Sequence, residues 1–168
     1  MGERRDGRPA AERDIDVLFY ATINERRRRL YESLQSQGLR VAATRGYLPD
    51  YVRFNLMSRS RVVLDVRRGD DVRFTSPSRI AAALQVGSTV VSEFFDTSRL
   101  GALYPYTQAT EFAAIEERCV TLARSPEVVE IGRAARERFK AETSMAANLR
   151  PALALPVFQE IAAHEARS

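Results

Sequence analysis

Short apolar runs alternate along the chain with longer segments that have a helical period. The runs are DIDVLFYA at residues 14–21, LRVAAT at 39–44, RVVLDV at 61–66 and TVVSE at 89–93. Short, continuous apolar runs are typical of strands buried on both faces of a sheet, so the pattern predicts four strands. A fifth short strand is predicted in ALYPY at 102–106. Pro105 limits it to a sheet edge or a chain end because proline has no amide hydrogen to donate.

The segments between the predicted strands place apolar residues three or four positions apart, as the inner face of a helix requires. The predicted helices cover residues 22–38, 48–60, 77–86, 109–124, 127–141 and 156–166. Thr22 and Glu25 have the spacing of a capping box, in which each side chain satisfies a backbone amide of the first turn. Gly38 and Gly87 follow the first and third helices as stop signals.

The order of these elements is typical of an α/β domain with right-handed crossovers. We expect a three-layer, Rossmann-like domain with a mainly parallel sheet of four or five strands and a helical C-terminal part. In such sheets ligands bind at the carboxyl ends of the strands, where the strand order reverses. We expect the reversal between the first and fourth strands, which selects Ala21–Arg27, Phe74–Arg79 and Glu93.

The charge distribution along the chain predicts where the folded part begins. Residues 1–13 are rich in charge of both signs and poor in residues that can be buried, so we expect a disordered tail there. Residues 14–168 are expected to form a single domain, since a chain of this length buries a full core without disulfides. No segment reaches the roughly 20 apolar residues that span a bilayer, and no signal peptide is evident. The sequence therefore predicts a cytoplasmic protein without a transmembrane segment.

The basic character of the chain does not point to nucleic acid. The formal net charge is +4, but Lys140 is the only lysine, and such an excess of arginine is what a GC-rich genome produces. The aromatic residues do not alternate with arginines as a platform for stacked bases requires. We therefore expect no nucleic-acid partner.

Single copies of cysteine and histidine, Cys119 and His164, argue against several kinds of site. One cysteine gives no internal disulfide or cysteine-based metal centre, and one histidine gives no multi-histidine metal site. The loop YATINE after the first strand has no glycine, so the dinucleotide-binding fingerprint is absent. The sequence predicts no metal site and no nicotinamide cofactor.

Polar and basic side chains gather where the first and third helices begin. The amino ends of helices carry free amides and partial positive charge, which bind phosphate or carboxylate groups. Arginines in a first turn oppose the helix dipole unless an anion lies near them. The candidate binding residues are Thr22, Asn24, Arg26, Arg27, Ser76, Ser78, Arg79 and Glu93.

Each candidate residue also has a purely structural interpretation. The hydroxyl and amide side chains are equally suited to be plain helix caps, and Arg26–Arg29 to form a solvated helix face. Glu93 is suited to accept hydrogen bonds from ligand hydroxyls, to pair with Arg79, or to be an exposed loop charge. Asp65 lies at the end of the third strand, as the phosphoacceptor of a receiver domain does. The acidic pair after the first strand and the lysine after the fifth strand, which that chemistry needs, are missing here.

Four segments carry a resemblance to a known family: VLFYATINERRRRLYESLQSQGLRV, RVVLDV, SRIAAALQVGSTVVSE and SPEVVEIGRAARERF. Over Asp14–Phe139 the chain resembles the C-terminal, donor-nucleotide-binding Rossmann domain of two-domain (B-type) glycosyltransferases. The nearest group is that of bacterial glycosyltransferase-like proteins resembling the spore maturation protein CgeB. Its members often have a Gly-Ser-x-Asn-x-Arg-Arg loop after the first strand, and an arginine fourteen residues before a Val-Val-Ser-Glu strand end. The corresponding residues here are Ala21, Thr22, Asn24, Arg26 and Arg27, and then Arg79 and Glu93.

The resemblance implies that these residues, with Ser76 and Ser78, bind the diphosphate of a UDP- or GDP-sugar without a metal. In retaining members two glutamates hold the donor sugar and ribose, and their places are taken here by Phe74 and Ala82. The catalytic residues therefore stay unassigned, and a second domain or chain is expected to supply the acceptor site. The alternative is a non-catalytic Rossmann-like module for protein association or nucleotide sensing.

Overall fold

A computed structural model describes residues 8–44, 46, 48–72, 75–94 and 101–143. The chain divides into two compact units, Met1–Arg136 and Glu137–Ser168. Of the second unit, residues 137–143 are described, and they are helical up to Glu142. The predicted helix at 156–166 and the residue Phe74 lie outside the described residues.

The described part of the chain alternates strands and helices in its first half and is mainly helical afterwards. The strands are β1 (Ile15–Phe19), β2 (Val41–Ala43), β3 (Ser60–Asp65), β4 (Thr89–Glu93) and β5 (Gln108–Thr110). The α-helices are α1 (Glu25–Ser36), α2 (Asp50–Ser58), α3 (Pro77–Gln85), α4 (Ile115–Arg124) and α5 (Val128–Glu142). Short 3-10 helices are formed by Ala10–Glu12, Gly101–Tyr106 and Phe112–Ala114.

The five strands form one parallel sheet in the order β2-β1-β3-β4-β5. Helix α1 packs against α4, and α2 packs against α3, so helices flank the sheet. This arrangement confirms the predicted Rossmann-like α/β fold. Parallel strands buried on both sides explain why the strand segments are nearly continuous apolar runs.

The strand order of the sheet differs from the predicted one, so the expected ligand crevice lies at a different place. Val17 of β1 is the register partner of Val41 of β2 on one side and of Val62 of β3 on the other. The order therefore reverses between β1 and β3, and the prediction of a reversal between the first and fourth strands is wrong. In sheets of this order the ligand crevice lies at the β1/β3 switch point.

The region after β4 also differs from the prediction. The segment ALYPY, predicted as a strand, belongs to the 3-10 helix Gly101–Tyr106, and the edge strand β5 begins two residues later. The predicted helix from 109 begins only at Ile115, because residues 108–110 pair with β4 instead. Gly87 does end α3 as predicted, with a left-handed φ of 68°.

The folded part begins earlier than residue 14. Arg13, assigned from sequence to the disordered tail, is only 3% exposed. Its guanidinium donates to the carbonyls of Ser60 and Gly87 and to the hydroxyl of Ser88. Burial lowers the pKa of Arg13 to about 10, with a further contribution from the nearby charges of Arg133 and Arg61. Local composition assigns Arg13 to the tail because it is a charged residue in a charged segment. The residues that bind its guanidinium are distant in the sequence, so local composition does not reveal them.

Alternation along the strands places the two carboxylates of the sheet edge on opposite faces. Val62 and Leu64 of β3 and Val91 of β4 belong to the apolar cluster that also contains residues of α1 and α4. Asp65 lies opposite Ser92 in the register of β3 and β4. Because successive side chains alternate, Glu93 points with Val91 towards α1, whereas Asp65 points towards α3.

Candidate anion-binding site at the carboxyl edge of the sheet

The first carboxylate of the edge, Asp65, is held by the beginning of α3. Asp65 is fully buried at the end of β3. It forms an ion pair with the guanidinium of Arg79, and its Oδ2 accepts the backbone amide of Ser76 at 3.1 Å. Burial raises the pKa of Asp65, and the positive charge of Arg79 together with the Ser76 amide offsets this only in part. Asp65 therefore fixes the loop that leads into α3.

A second arginine, Arg27 of α1, reaches the same place from the other side of the switch point. Its guanidinium donates to the carbonyls of Thr22 at 2.8 Å and of Val66, so it is held by backbone oxygens alone. Burial lowers the pKa of Arg27, and the positive charge of Arg79 lowers it further, whereas the charge of Asp65 raises it. Arg27, Asp65 and Arg79 thus form one electrostatic group.

Three buried polar atoms around Asp65 have no hydrogen-bond partner among the described residues. They are Nε of Arg27, Nε of Arg79 and Oγ of Ser92. Arg79 is the ion-pair partner of Asp65, and Ser92 is its neighbour in the sheet. Buried polar atoms in proteins are almost always hydrogen-bonded, so these three atoms are exceptions, as are the Nε atoms of Arg53, Arg61 and Arg136 in other described parts of the chain.

The second carboxylate, Glu93, is enclosed by two other arginines. Its side chain is fully buried, and Arg26 donates to both of its oxygens at 2.7 and 2.9 Å. Arg67 donates to Oε1 from Nε at 2.9 Å and from Nη2 at 2.7 Å, and its backbone amide donates to Oε2 at 2.9 Å. Burial acts to raise the pKa of Glu93, but the hydrogen bonds from Arg26 and Arg67 outweigh it and hold the pKa below its usual range.

These contacts decide between the interpretations of Glu93. It is not an exposed loop charge, and its partners are Arg26 and Arg67 rather than Arg79. Sequence reasoning missed Arg67, although its position just after β3, at the sheet edge where ligands bind, is a usable signal. It also missed that Asp65 would hold Arg79.

The amino ends of α1 and α3 differ in how they are capped. The N-cap of α1 is Asn24, whose side-chain oxygen accepts the amide of Arg27 at 3.1 Å. The predicted capping box of Thr22 and Glu25 is therefore wrong, because the helix begins two residues later than Thr22 would require. At α3, Ser76 makes no side-chain cap, and its hydroxyl lies 3.2 Å from that of Ser78. The beginning of α3 thus has no side-chain cap, and the backbone amide of Ser76 donates to Asp65.

The predicted binding residues lie in two layers at this edge. Asn24, Arg26 and Arg27 lie at the start of α1, whereas Ser76, Ser78 and Arg79 lie at the start of α3. Thr22 is exposed and contributes a carbonyl to Arg27. Four arginines at the described edge, Arg26, Arg27, Arg67 and Arg79, lie near the carboxylates of Asp65, Glu93 and the exposed Asp70.

The environment of Asp65 does not suit the receiver interpretation. A phosphoacceptor must present a carboxylate oxygen to the phosphoryl donor, but Asp65 is fully buried and both of its oxygens accept hydrogen bonds. Among the described residues no three histidine, cysteine or acidic side chains lie close enough together to hold a metal ion. No helix in the described ranges is long and apolar enough to cross a membrane.

Comparison of the chain with protein-family models, with curated proteins and with solved structures gives no match. A function for this chain is therefore inferred from the geometry of the sheet edge.

Proposed function

We propose that this chain is a glycosyltransferase-like domain that binds the diphosphate of a nucleotide sugar at the β1/β3 switch point. The observation that supports this most directly is that Asp65 forms an ion pair with Arg79 and lies close enough to Arg27 for their charges to interact. One arginine comes from each of the two helices that begin beside the crevice, and each has a buried Nε without a partner among the described residues. Two guanidinium groups near one carboxylate carry a net positive charge, which favours an anionic ligand.

The beginning of α3 supplies the other half of the proposed diphosphate site. Its first turn has no side-chain cap, and the hydroxyls of Ser76 and Ser78 lie at the surface of this turn. The positive end of the helix dipole and two hydroxyl groups suit the oxygens of a phosphate. The proposed ligand is a UDP- or GDP-sugar, and its binding at these groups calls for no metal.

The enclosed position of Glu93 changes the role that we propose for it. Its two oxygens accept hydrogen bonds from Arg26 and Arg67, and its side chain is fully buried. In this proposal Glu93 holds these arginines in place and does not contact a sugar hydroxyl. The catalytic residues stay unassigned, and a second domain or chain would supply the acceptor site.

A second candidate function is a Rossmann-like module for protein association without catalysis. The observation that favours it is that Asp65 and Glu93 already neutralise arginines at the edge. Two large apolar side chains, Tyr51 and Phe94, are also exposed. Under this proposal the arginines have a structural role, and no nucleotide stabilises the chain.

Thermal shift with UDP, GDP and UDP-sugars separates the two proposals. Under the first, a millimolar nucleoside diphosphate raises Tm because it binds the folded state, and Arg79→Ala abolishes the rise. Arg133→Ala, which removes an exposed arginine paired with Glu130 on α5, should leave the rise intact. Because Arg79→Ala leaves Asp65 buried and unpaired, the double variant Arg79→Ala/Asp65→Asn repeats the test without that charge. No rise with any of these nucleotides, or an equal rise in all variants, contradicts the first proposal.

A further inference from the structure

A pocket of about 790 Å³ opens beside α1, on the side of the sheet opposite to Asp65 and Arg79. We call it the α1 pocket; its lining includes Asn24, Leu30 and Phe112 and the charged residues Arg26, Arg29, Arg68, Glu25, Asp70 and Glu116. Its volume lies within the range of about 300–1,000 Å³ that is usual for small-molecule sites. The α1 pocket is thus large enough for an organic ligand.

The inner wall of the α1 pocket combines an apolar surface with a fixed cation. The carbon Cζ of Arg26 lies 3.5 Å from the ring centroid of Phe112, in a cation–π contact. Arg26 cannot move freely, because both of its terminal nitrogens are also bonded to Glu93. Leu30 also lines the pocket and is 7% exposed. This wall suits a flat apolar group next to a negative charge.

The anion position beside this wall is taken by an exposed carboxylate of the chain itself. Asp70 lies 3.3 Å from Nη2 of Arg26 and 3.7 Å from Nη2 of Arg67, yet its side chain is 86% exposed. Glu93, by contrast, forms ion pairs with the same two arginines and is fully buried. Exposed ion pairs are weak, so Asp70 is the carboxylate that a ligand can replace.

Arg68 supplies a further cation at the mouth of the α1 pocket. Its side chain is exposed and lines the pocket, and its guanidinium has no hydrogen bond or ion pair with any residue that the structure describes. The backbone around it is fixed, because the carbonyl of Arg68 accepts the side-chain amide of Asn24. A ligand anion in place of Asp70 would bind Arg26 in a pocket that Arg68 also lines.

We propose that the α1 pocket binds a small organic anion with a flat apolar body, an aryl phosphate or aryl carboxylate. The anionic group replaces Asp70 on Arg26 and is also bound by Arg68, while the flat group packs on Phe112 and Leu30. This proposal does not depend on nucleotide binding at the switch point, because Asp65, Arg79, Ser76 and Ser78 do not line the α1 pocket.

The test is a titration of ¹⁵N-labelled protein with phenyl phosphate, followed by the backbone amides of Gly69 and Ala113, which line the α1 pocket. We expect these amides to shift, with a weaker response to inorganic phosphate and to phenol. Asp70→Asn should raise the affinity for phenyl phosphate about two- to fivefold, and Arg68→Ala should lower it by a similar factor, as for one exposed ion pair.

The matched control is Asp71→Asn, which removes the same charge from the next residue. Asp71 is exposed and has no ion pair among the described residues, so its replacement should change the affinity by less than Asp70→Asn. The proposal is overturned if the amides of the α1 pocket do not respond to millimolar phenyl phosphate. It is also overturned if inorganic phosphate binds as tightly, or if Asp71→Asn acts as strongly as Asp70→Asn.

Discussion

Arg26 and Glu93 lie 67 positions apart in the sequence and form a bidentate ion pair, with N–O distances of 2.7 and 2.9 Å. The pair joins the first turn of α1 to the end of β4, and Arg67 completes it from the end of β3. Breaking such a buried pair by removing one partner is costly, because the other charge stays buried. The same contact thus fixes the sheet edge and positions one wall of the α1 pocket.

Glu93→Gln should lower the free energy of unfolding by about 3 kcal/mol, because Arg26 and Arg67 lose their buried counter-charge. Chemical denaturation at neutral pH measures this loss. Glu117→Gln is the matched control, since Glu117 is exposed on α4, and its replacement should change stability by less than about 0.5 kcal/mol. Equal effects of the two substitutions would show that the buried pair contributes little.

The stabilisation from Glu93 should disappear in acid. The folded-state pKa of Glu93 lies below its unfolded value of 4.5, because Arg26 and Arg67 favour the carboxylate. The contribution is therefore complete above pH 4.5 and is lost as the pH falls through the lower, folded-state pKa. The difference in unfolding free energy between wild type and Glu93→Gln should shrink over this range.

For Asp65 we expect the opposite dependence of stability on pH. Its folded-state pKa is raised by burial above the unfolded value of 3.8, so the folded state binds the proton more tightly. The advantage of wild type over Asp65→Asn should therefore grow as the pH falls from neutrality towards 3.8. If the stability difference from wild type changed with pH in the same direction for Glu93→Gln and Asp65→Asn, the opposite pKa shifts of the two carboxylates would be contradicted.

The N-cap of α1 distinguishes the cap observed in the structure, Asn24, from the one that the sequence pattern predicts, Thr22. Asn24→Ala should destabilise the protein by about 1 kcal/mol, because the amide of Arg27 loses its side-chain acceptor. Thr22→Ala should change stability by less than about 0.5 kcal/mol, since Thr22 is exposed and does not cap the helix. Urea denaturation of both variants is the measurement, and a larger effect at Thr22 would restore the capping-box interpretation.

Local pattern was sufficient for the parts of the fold that depend on neighbouring residues. The segments around β1, β3 and β4 were predicted as strands because each is a short apolar run, and the end of α3 was predicted from Gly87, whose positive φ few other residues tolerate. The segment after β4 was mispredicted. There, residues 108–110 gain more from pairing with β4 than from the helix that their sequence favours.

The sequence by itself determined the α/β class and brought polar and basic residues to the ends of parallel strands. It left open which of them meet, because Arg79 and Asp65 are 14 positions apart and Arg67 and Glu93 are 26 apart. Only the tertiary structure decided that β3 lies beside β1, which moved the crevice. The strand register then turned Asp65 and Glu93 to opposite faces, because side chains alternate along a strand. Contacts of this kind depend on strand order and register, and no local spacing encodes either.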